Sequence, residues 1–225
     1  MKITYGNSSA SVSLVQMVDD HDLEGIENEV AEIRRRTKMD FCLTAIPVQD
    51  WNADLSPWPA PAVFGKEGFG SGAADTLAEV LQCCADREKI HIIGGYSLSG
   101  LFALWAAHQT DVFQGVAAAS PSVWFPGFLD YMRENRIHAD SVYLSLGDRE
   151  EKTRNPVMAA VGERIREANE LLVNRGIHTI LEWNQGNHFQ NADIRTAKAF
   201  AWIMEQQKTD LCGKEDGICS LECRR

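Results

Sequence analysis

Short apolar runs and longer stretches with helical spacing alternate along the whole chain. Ser11–Val18 alternates with the period of a strand, and Phe41–Ile46 reads as a buried strand closed by Pro47. Further buried strands are expected in the run that begins at Lys89 and at Gly115–Ala119, Ser141–Leu146 and Thr179–Trp183. The polar residues 1–11 predict a short strand or an ordered arm. Between these runs the period changes. Asp19-Asp20 offers an N-cap, Leu23, Ile26, Val30 and Ile33 form one stripe, and Arg34-Arg35-Arg36 suits the negative end of a helix dipole. That arginine cluster reads as a solvated helix end rather than a phosphate site. Helices are also expected over Ala73–Asp86, Leu98–His108 and Phe128–Asn135. Another follows the cap Asn155 and Pro156, with Val157, Val161, Ile165, Ala168 and Leu172 inward and Gly176 past its end. The last runs from Ala192 to Gln207, packing through Ala197, Phe200 and Met204. Strands alternating with helices predict an α/β fold with a mostly parallel sheet.

One stretch breaks the alternation. Val48–Gly72 is a long loop rich in tryptophan, proline and glycine, and a loop of that length in a compact domain is usually functional. Trp51 and Trp58 are expected to form a pocket wall there, in preference to capping the core.

The strongest chemical signal follows the run that begins at Lys89. Gly95-Tyr96-Ser97-Leu98-Ser99 nearly matches G-x-S-x-G, a sharp strand-to-helix turn that exposes a serine and tolerates only small neighbours. Ser99 stands where glycine is usual, and Gly100 follows. A serine hydroxyl needs a base, and the base needs a carboxylate to fix its tautomer. His188, between Gly186-Asn187 and Phe189, follows the last strand. Asp148, Glu150 and Glu151 follow the strand before it. The order Ser, acid, His therefore falls on three strand ends, which share one edge of a parallel sheet. His21, His91, His108, His138 and His178 have no such placement and read as surface or core residues.

These motifs carry a family likeness. Gly95-Tyr96-Ser97-Leu98-Ser99-Gly100-Leu101-Phe102-Ala103-Leu104 resembles the elbow of the esterase branch of the α/β-hydrolases that contains siderophore (enterobactin-type) and feruloyl esterases. Ala119-Ser120-Pro121-Ser122-Val123-Trp124 resembles a second motif of that branch, and Gly186-Asn187-His188 its histidine loop. The likeness spans roughly Val12 to Gln207. It implies an α/β-hydrolase fold, a three-layer α/β/α sandwich with a serine nucleophile, and a carboxylate in the loop after Leu146, without fixing the substrate. The G-x-x-D turn that often presents this acid puts Glu150 in register, ahead of Asp148, while Glu151 begins the next segment. The amide of Leu98 is the expected first oxyanion donor, with the second around Asp50 or Trp51 after Phe41–Ile46. Trp51, Trp58 and Trp124 are candidates to line an acyl or aromatic pocket.

Composition narrows the reading. The length suits one domain, residues 1–209, with a polar tail over 210–225. A net charge of −10 argues against nucleic acid and anionic membranes as partners. No apolar leader and no spanning run is visible, so a cytoplasmic protein is expected. Cys42, Cys83, Cys84, Cys212, Cys219 and Cys223 read as free thiols, since C-x6-C-x3-C in the tail fits no zinc pattern. No metal and no cofactor is expected. The expected partner is a small-molecule ester, and a homo-oligomer stays open. The expected activity is ester hydrolysis through an acyl-enzyme. Two rivals remain: a thioesterase or acyltransferase with the same three residues, and a silent hydrolase-fold binding protein, favoured only by Ser99.

Overall fold

A computed structural model of the chain describes residues 2–63 and 65–222, with backbone alone from 208 onward. In chain order, β1 (Ile3–Gly6) and β2 (Val12–Val18) lead into α1 (Asp20–Arg36). Then come β3 (Cys42–Pro47), α2 (Trp51–Asp54), α3 (Ala73–Cys83), β4 (Ile90–Tyr96) and α4 (Ser97–Gln109). β5 (Gly115–Ala119), α5 (Phe128–Glu134) and β6 (Ser141–Gly147) follow. The chain continues through α6 (Pro156–Ala159), α7 (Val161–Asn174), β7 (His178–Asn184) and α8 (Ala192–Glu222).

The strands form one seven-stranded sheet in the order β1-β3-β2-β4-β5-β6-β7, parallel except for β1. The pattern within β2 explains why both faces are covered. Val12, Leu14 and Val18 enter a core shared with α1 and α8, while Val15 and Met17 enter one shared with α3, α4, α5 and α7. A strand apolar on both faces needs helices on both. β7 closes one edge and is accordingly half exposed, with Ile180 and Trp183 open to solvent.

Local chemistry sets the helix ends. Asp19 caps α1 by accepting the Asp22 N–H at 2.8 Å, and Asp22 returns a bond from the Asp19 N–H at 3.3 Å. At the other end Arg35 and Arg36 both bond Glu32, so that basic cluster is salt-bridged on the surface. α3 stops at Cys83 instead of running to Asp86. Asp86 turns the chain there, its side chain accepting the Glu88 N–H and its carbonyl the Lys89 N–H. The helix expected after Asn155 is two pieces joined at Ala160. Asn155 caps the first through Val157 and Met158 N–H while its amide donates to Val63 C=O. The long loop is less irregular than expected: Asp50 caps one helical turn, α2, and Ala60 bridges Phe69.

α8 continues beyond Gln207, the expected end, as far as Glu222. Gln207 is buried and donates to Ser141 Oγ at 3.1 Å, which ties this helix to β6. Cys42, Cys83 and Cys84 are free thiols. The side chains of Cys212 and Cys219, and Cys223 altogether, lie outside the described residues, as do the other side chains of the 210–225 tail. Among the described residues no helix is long and apolar enough to cross a membrane.

The strand order reverses between β2 and β4. The chain runs from β2 outward to β3, then returns to place β4 on the other side of β2. In open parallel sheets ligands bind outside the carboxyl ends at such a reversal. Ser97 begins there.

Candidate active site

The turn between β4 and α4 is tight, and its neighbours had to be small. Ser97 sits at φ +56°, a left-handed conformation that a non-glycine residue holds only where its surroundings impose it. A Cβ on Gly95 would run into the side chain of Ser99, and one on Gly100 would come within 3.0 Å of the Gly95 carbonyl. Ser99 is fully buried and donates to the Met17 carbonyl at 2.9 Å. The β2–β4 pairing ends at Gln16 opposite Gly94, so Met17 is just past the last paired residue. The hydroxyl that replaces the usual glycine thus ties the elbow helix to β2, and is not free to compete with Ser97.

Three side chains meet at the carboxyl edge. Ser97 Oγ lies 2.9 Å from His188 Nε2, and His188 Nδ1 lies 2.7 Å from Glu150 Oε2. With Nδ1–H donated to the carboxylate, Nε2 is the nitrogen left to accept the serine proton. Asp148 does not touch the histidine ring. Its Oδ1 accepts the Gly186 N–H at 2.9 Å, and its own N–H donates to Asn184 C=O at 2.8 Å. It therefore holds the histidine loop against the acid loop. Glu151 turns toward α7, 3.8 Å from Arg166.

The Glu150 side chain is 4% exposed, and its second oxygen is crowded with donors. Oε1 accepts from Gly147 N–H at 2.7 Å, Ser120 Oγ at 2.8 Å and Arg195 Nη1 at 2.8 Å. Burial pushes the Glu150 carboxyl up. The bond and charge of His188, with the Gly147 and Ser120 donors, outweigh it and hold the group below the usual glutamate value. Glu150 is thereby kept ionised and pinned in orientation.

Arg195 escaped the sequence reading. It is 1% exposed, in the first turn of α8, and binds five acceptors. Nη1 reaches Glu150, the Tyr96 hydroxyl at 2.9 Å and Ser120 Oγ at 3.3 Å. Nη2 reaches the carbonyls of Gln185 at 3.2 Å and Asn187 at 3.1 Å. Tyr96 in turn donates to the His188 carbonyl at 2.8 Å, and burial pushes its phenol up to about 12. One guanidinium fork thus joins the elbow strand, the acid and the histidine loop. A signal existed: a cation in the first turn of a helix faces the wrong end of the dipole, which needs a compensating partner. Ser122 was also missed as an individual residue. Its N–H donates to the Ser97 carbonyl at 3.0 Å and its hydroxyl is 3.3 Å from Ser97 Oγ.

The expected pocket residues are placed differently. Trp124 is buried and tilted against Phe69. Trp58 donates from Nε1 to Pro126 C=O at 2.9 Å and packs edge-on to Phe125 and tilted against Tyr131. Trp51, the first residue of α2, is half-buried against the core. The oxyanion expectation meets the strand order too. β3 pairs with β2 and not β4, so the loop carrying Asp50 and Trp51 starts one strand away from the elbow. The turn leaving β2, Val18-Asp19-Asp20, starts beside it. Leu98, directly after Ser97, is in the first turn of α4, where backbone N–H groups lack intrahelical partners.

Among the described residues no group of three or more His, Cys, Asp or Glu is arranged to hold a metal ion.

A mostly parallel sheet covered on both faces, with a serine on a strained turn after its central strand, is the α/β-hydrolase fold. Solved structures with this architecture resemble the chain over most of its length. The siderophore hydrolase EstA from Aspergillus nidulans is 20% identical, with a TM-score of 0.64 over 91% of this chain and 85% of its own. An IroE-like serine hydrolase from Shewanella oneidensis is 13% identical, with a TM-score of 0.71 over 89% of this chain and 74% of its own. The enterobactin esterase FES from Shigella flexneri is 13% identical, with a TM-score of 0.64 over 92% of this chain but 55% of its own. No family model matches the sequence, and no curated protein matches it. At these identities the likeness is one of fold.

Proposed function

We propose that the protein is a carboxylic-ester hydrolase acting through an acyl-enzyme on Ser97. The observation that carries this reading is the continuous chain from Ser97 Oγ through His188 to Glu150, with contacts of 2.9 and 2.7 Å. Ser97 Oγ attacks the ester carbonyl as Nε2 of His188 takes its proton. Glu150 stabilises the imidazolium that forms. The developing oxyanion is held by the Leu98 N–H and by a first-turn amide of α1 in the turn after β2. Collapse expels the alcohol, which receives the proton from His188. Water then repeats the sequence and frees the acid. Asp148 and Arg195 touch no reacting atom and act as positioning residues.

The names of the structural neighbours, a siderophore hydrolase and an enterobactin esterase, make siderophore esters a class to include in a substrate panel. A fluorophosphonate probe followed by a panel of short-chain nitrophenyl esters tests the reading. Covalent labelling and turnover are expected, both abolished in Ser97→Ala and both retained in Ser99→Ala. Labelling that survives Ser97→Ala would remove the serine from the role given to it.

A further inference from the structure

Beside the proposed triad is a cavity of about 300 Å³ between α1, the end of β2 and the loop that carries His188. Its rim includes Phe189, which is 90% exposed and whose ring sits edge-on to the His188 imidazole at 5.6 Å. Asp22, Glu29 and Asp193 line it, and among the described residues no lysine or arginine does. His21, the base on its rim, is exposed and 3.7 Å from Glu24.

Two buried acceptors in the lining have no donor. Gln16 and Glu29 are 2% and 3% exposed, joined by a long bond of 3.4 Å from the Gln16 amide to Glu29 Oε2. Gln16 Oε1 and Glu29 Oε1 find no hydrogen-bond partner. An acceptor buried without a donor is destabilising, so the retention of two side by side calls for an explanation. Burial drives both carboxyls upward: Asp22 reaches about 6, with Asp19 adding to the effect, and Glu29 rises well above the usual range. Asp193 accepts from the Asn28 amide and Asp22 from the Asp19 N–H, but Gln16 Oε1 and Glu29 Oε1 have no donor and, among the described residues, no lysine or arginine faces the carboxyls. An alkylammonium supplies both the donor and the charge. The exposed Phe189 ring adds a face that attracts cations, and the net charge of −10 favours the approach of a positively charged substrate. The carboxylates do not form a metal-ligating group, which directs the inference to an organic cation.

We propose that this cavity is a substrate subsite for a protonated amine, seating the alkylammonium group of an ester whose carbonyl is presented to Ser97. The proposal rests on the ester-hydrolase reading, and the test separates the two. In the Ser97→Ala protein, calorimetric titration should show n-butylammonium binding about tenfold or more tighter than n-butanol. Glu29→Gln, which keeps the side-chain shape, and Asp193→Asn should each weaken the ammonium by a similar factor. In the wild type, ethyl aminohexanoate should be hydrolysed with a kcat/KM about tenfold above that of ethyl heptanoate, its neutral counterpart. Equal binding of amine and alcohol, or ammonium binding untouched by both substitutions, overturns the subsite even if both esters are hydrolysed. If neither ester is hydrolysed while ammonium binding behaves as described, the hydrolase reading fails and the cation site stands.

Discussion

Arg195→Met is the substitution on which the architecture of this site can be judged. Methionine fills similar space without charge, and removes contacts to Glu150, Tyr96, Ser120, Gln185 and Asn187 in one step. The Arg195 and Glu150 side chains are 2% and 4% exposed, so solvent does not screen the pair. Breaking a buried ion pair from one side typically costs about 3–5 kcal/mol, because the remaining charge is left uncompensated. Glu150 keeps the Gly147 N–H, the Ser120 hydroxyl and His188, which favours the lower end, about 3 kcal/mol. That is a large share of the ~5–15 kcal/mol that holds a typical domain folded. Urea unfolding at neutral pH measures it directly. Ester turnover should fall mainly in kcat, since the residue orients the acid and does not meet substrate. A double-mutant cycle separates positioning from bulk packing. If Arg195 acts through Glu150, then Arg195→Met should cost at least about 1–2 kcal/mol less stability in a Glu150→Gln background, and the two kcat losses should not multiply. Simple additivity in both measurements would refute the reasoning.

Three further outcomes follow from the same contacts. Glu150→Gln should lower kcat by several orders of magnitude, because an amide at Oε2 favours the wrong imidazole tautomer, whereas Asp148→Asn should lose far less; steady-state kinetics with a nitrophenyl ester decides, and the reverse ranking gives the role to Asp148. Ser99→Ala should keep probe labelling at Ser97 yet lose about 1–3 kcal/mol in urea unfolding, since the Met17 carbonyl loses its donor in a fully buried place; unchanged stability would mean that the hydroxyl does not tie the elbow to β2. Asp22 has a folded pKa raised to about 6, so its contribution to stability is fully present below the ordinary aspartate range and is lost as pH rises through 6. Asp22→Asn keeps an oxygen for the Asp19 N–H without the charge, and should stabilise the protein by about 1–3 kcal/mol at pH ~8 and by almost nothing at pH ~4. Equal effects at both pH values would contradict the stated cause.

The sequence by itself determined the features that a few neighbouring residues decide. Strand and helix periods are local, so six of the seven strands were legible from spacing, and residues 1–11 carried the seventh only as an alternative to an arm. The elbow was legible because small residues around Ser97 answer to a steric demand within one turn. The resemblance to the G-x-x-D turn of the fold put Glu150 ahead of Asp148, and it is Glu150 Oε2 that lies against His188. Tertiary structure alone decided what depends on residues far apart in the chain. Only strand order reveals that β2 separates β3 from the elbow, which moves the neighbouring loop from Trp51 to the turn after Val18. Trp124 reads as a pocket residue until the packing of Phe69, far away in sequence, covers it. Arg195 meets Tyr96 across 99 residues and Glu150 across 45. Gln16 and Glu29 look like ordinary polar positions until β2 and α1 enclose them with their acceptors unpaired. Periodicity records which face of an element is buried, whereas the partner of a buried polar group is set by how the chain folds back on itself.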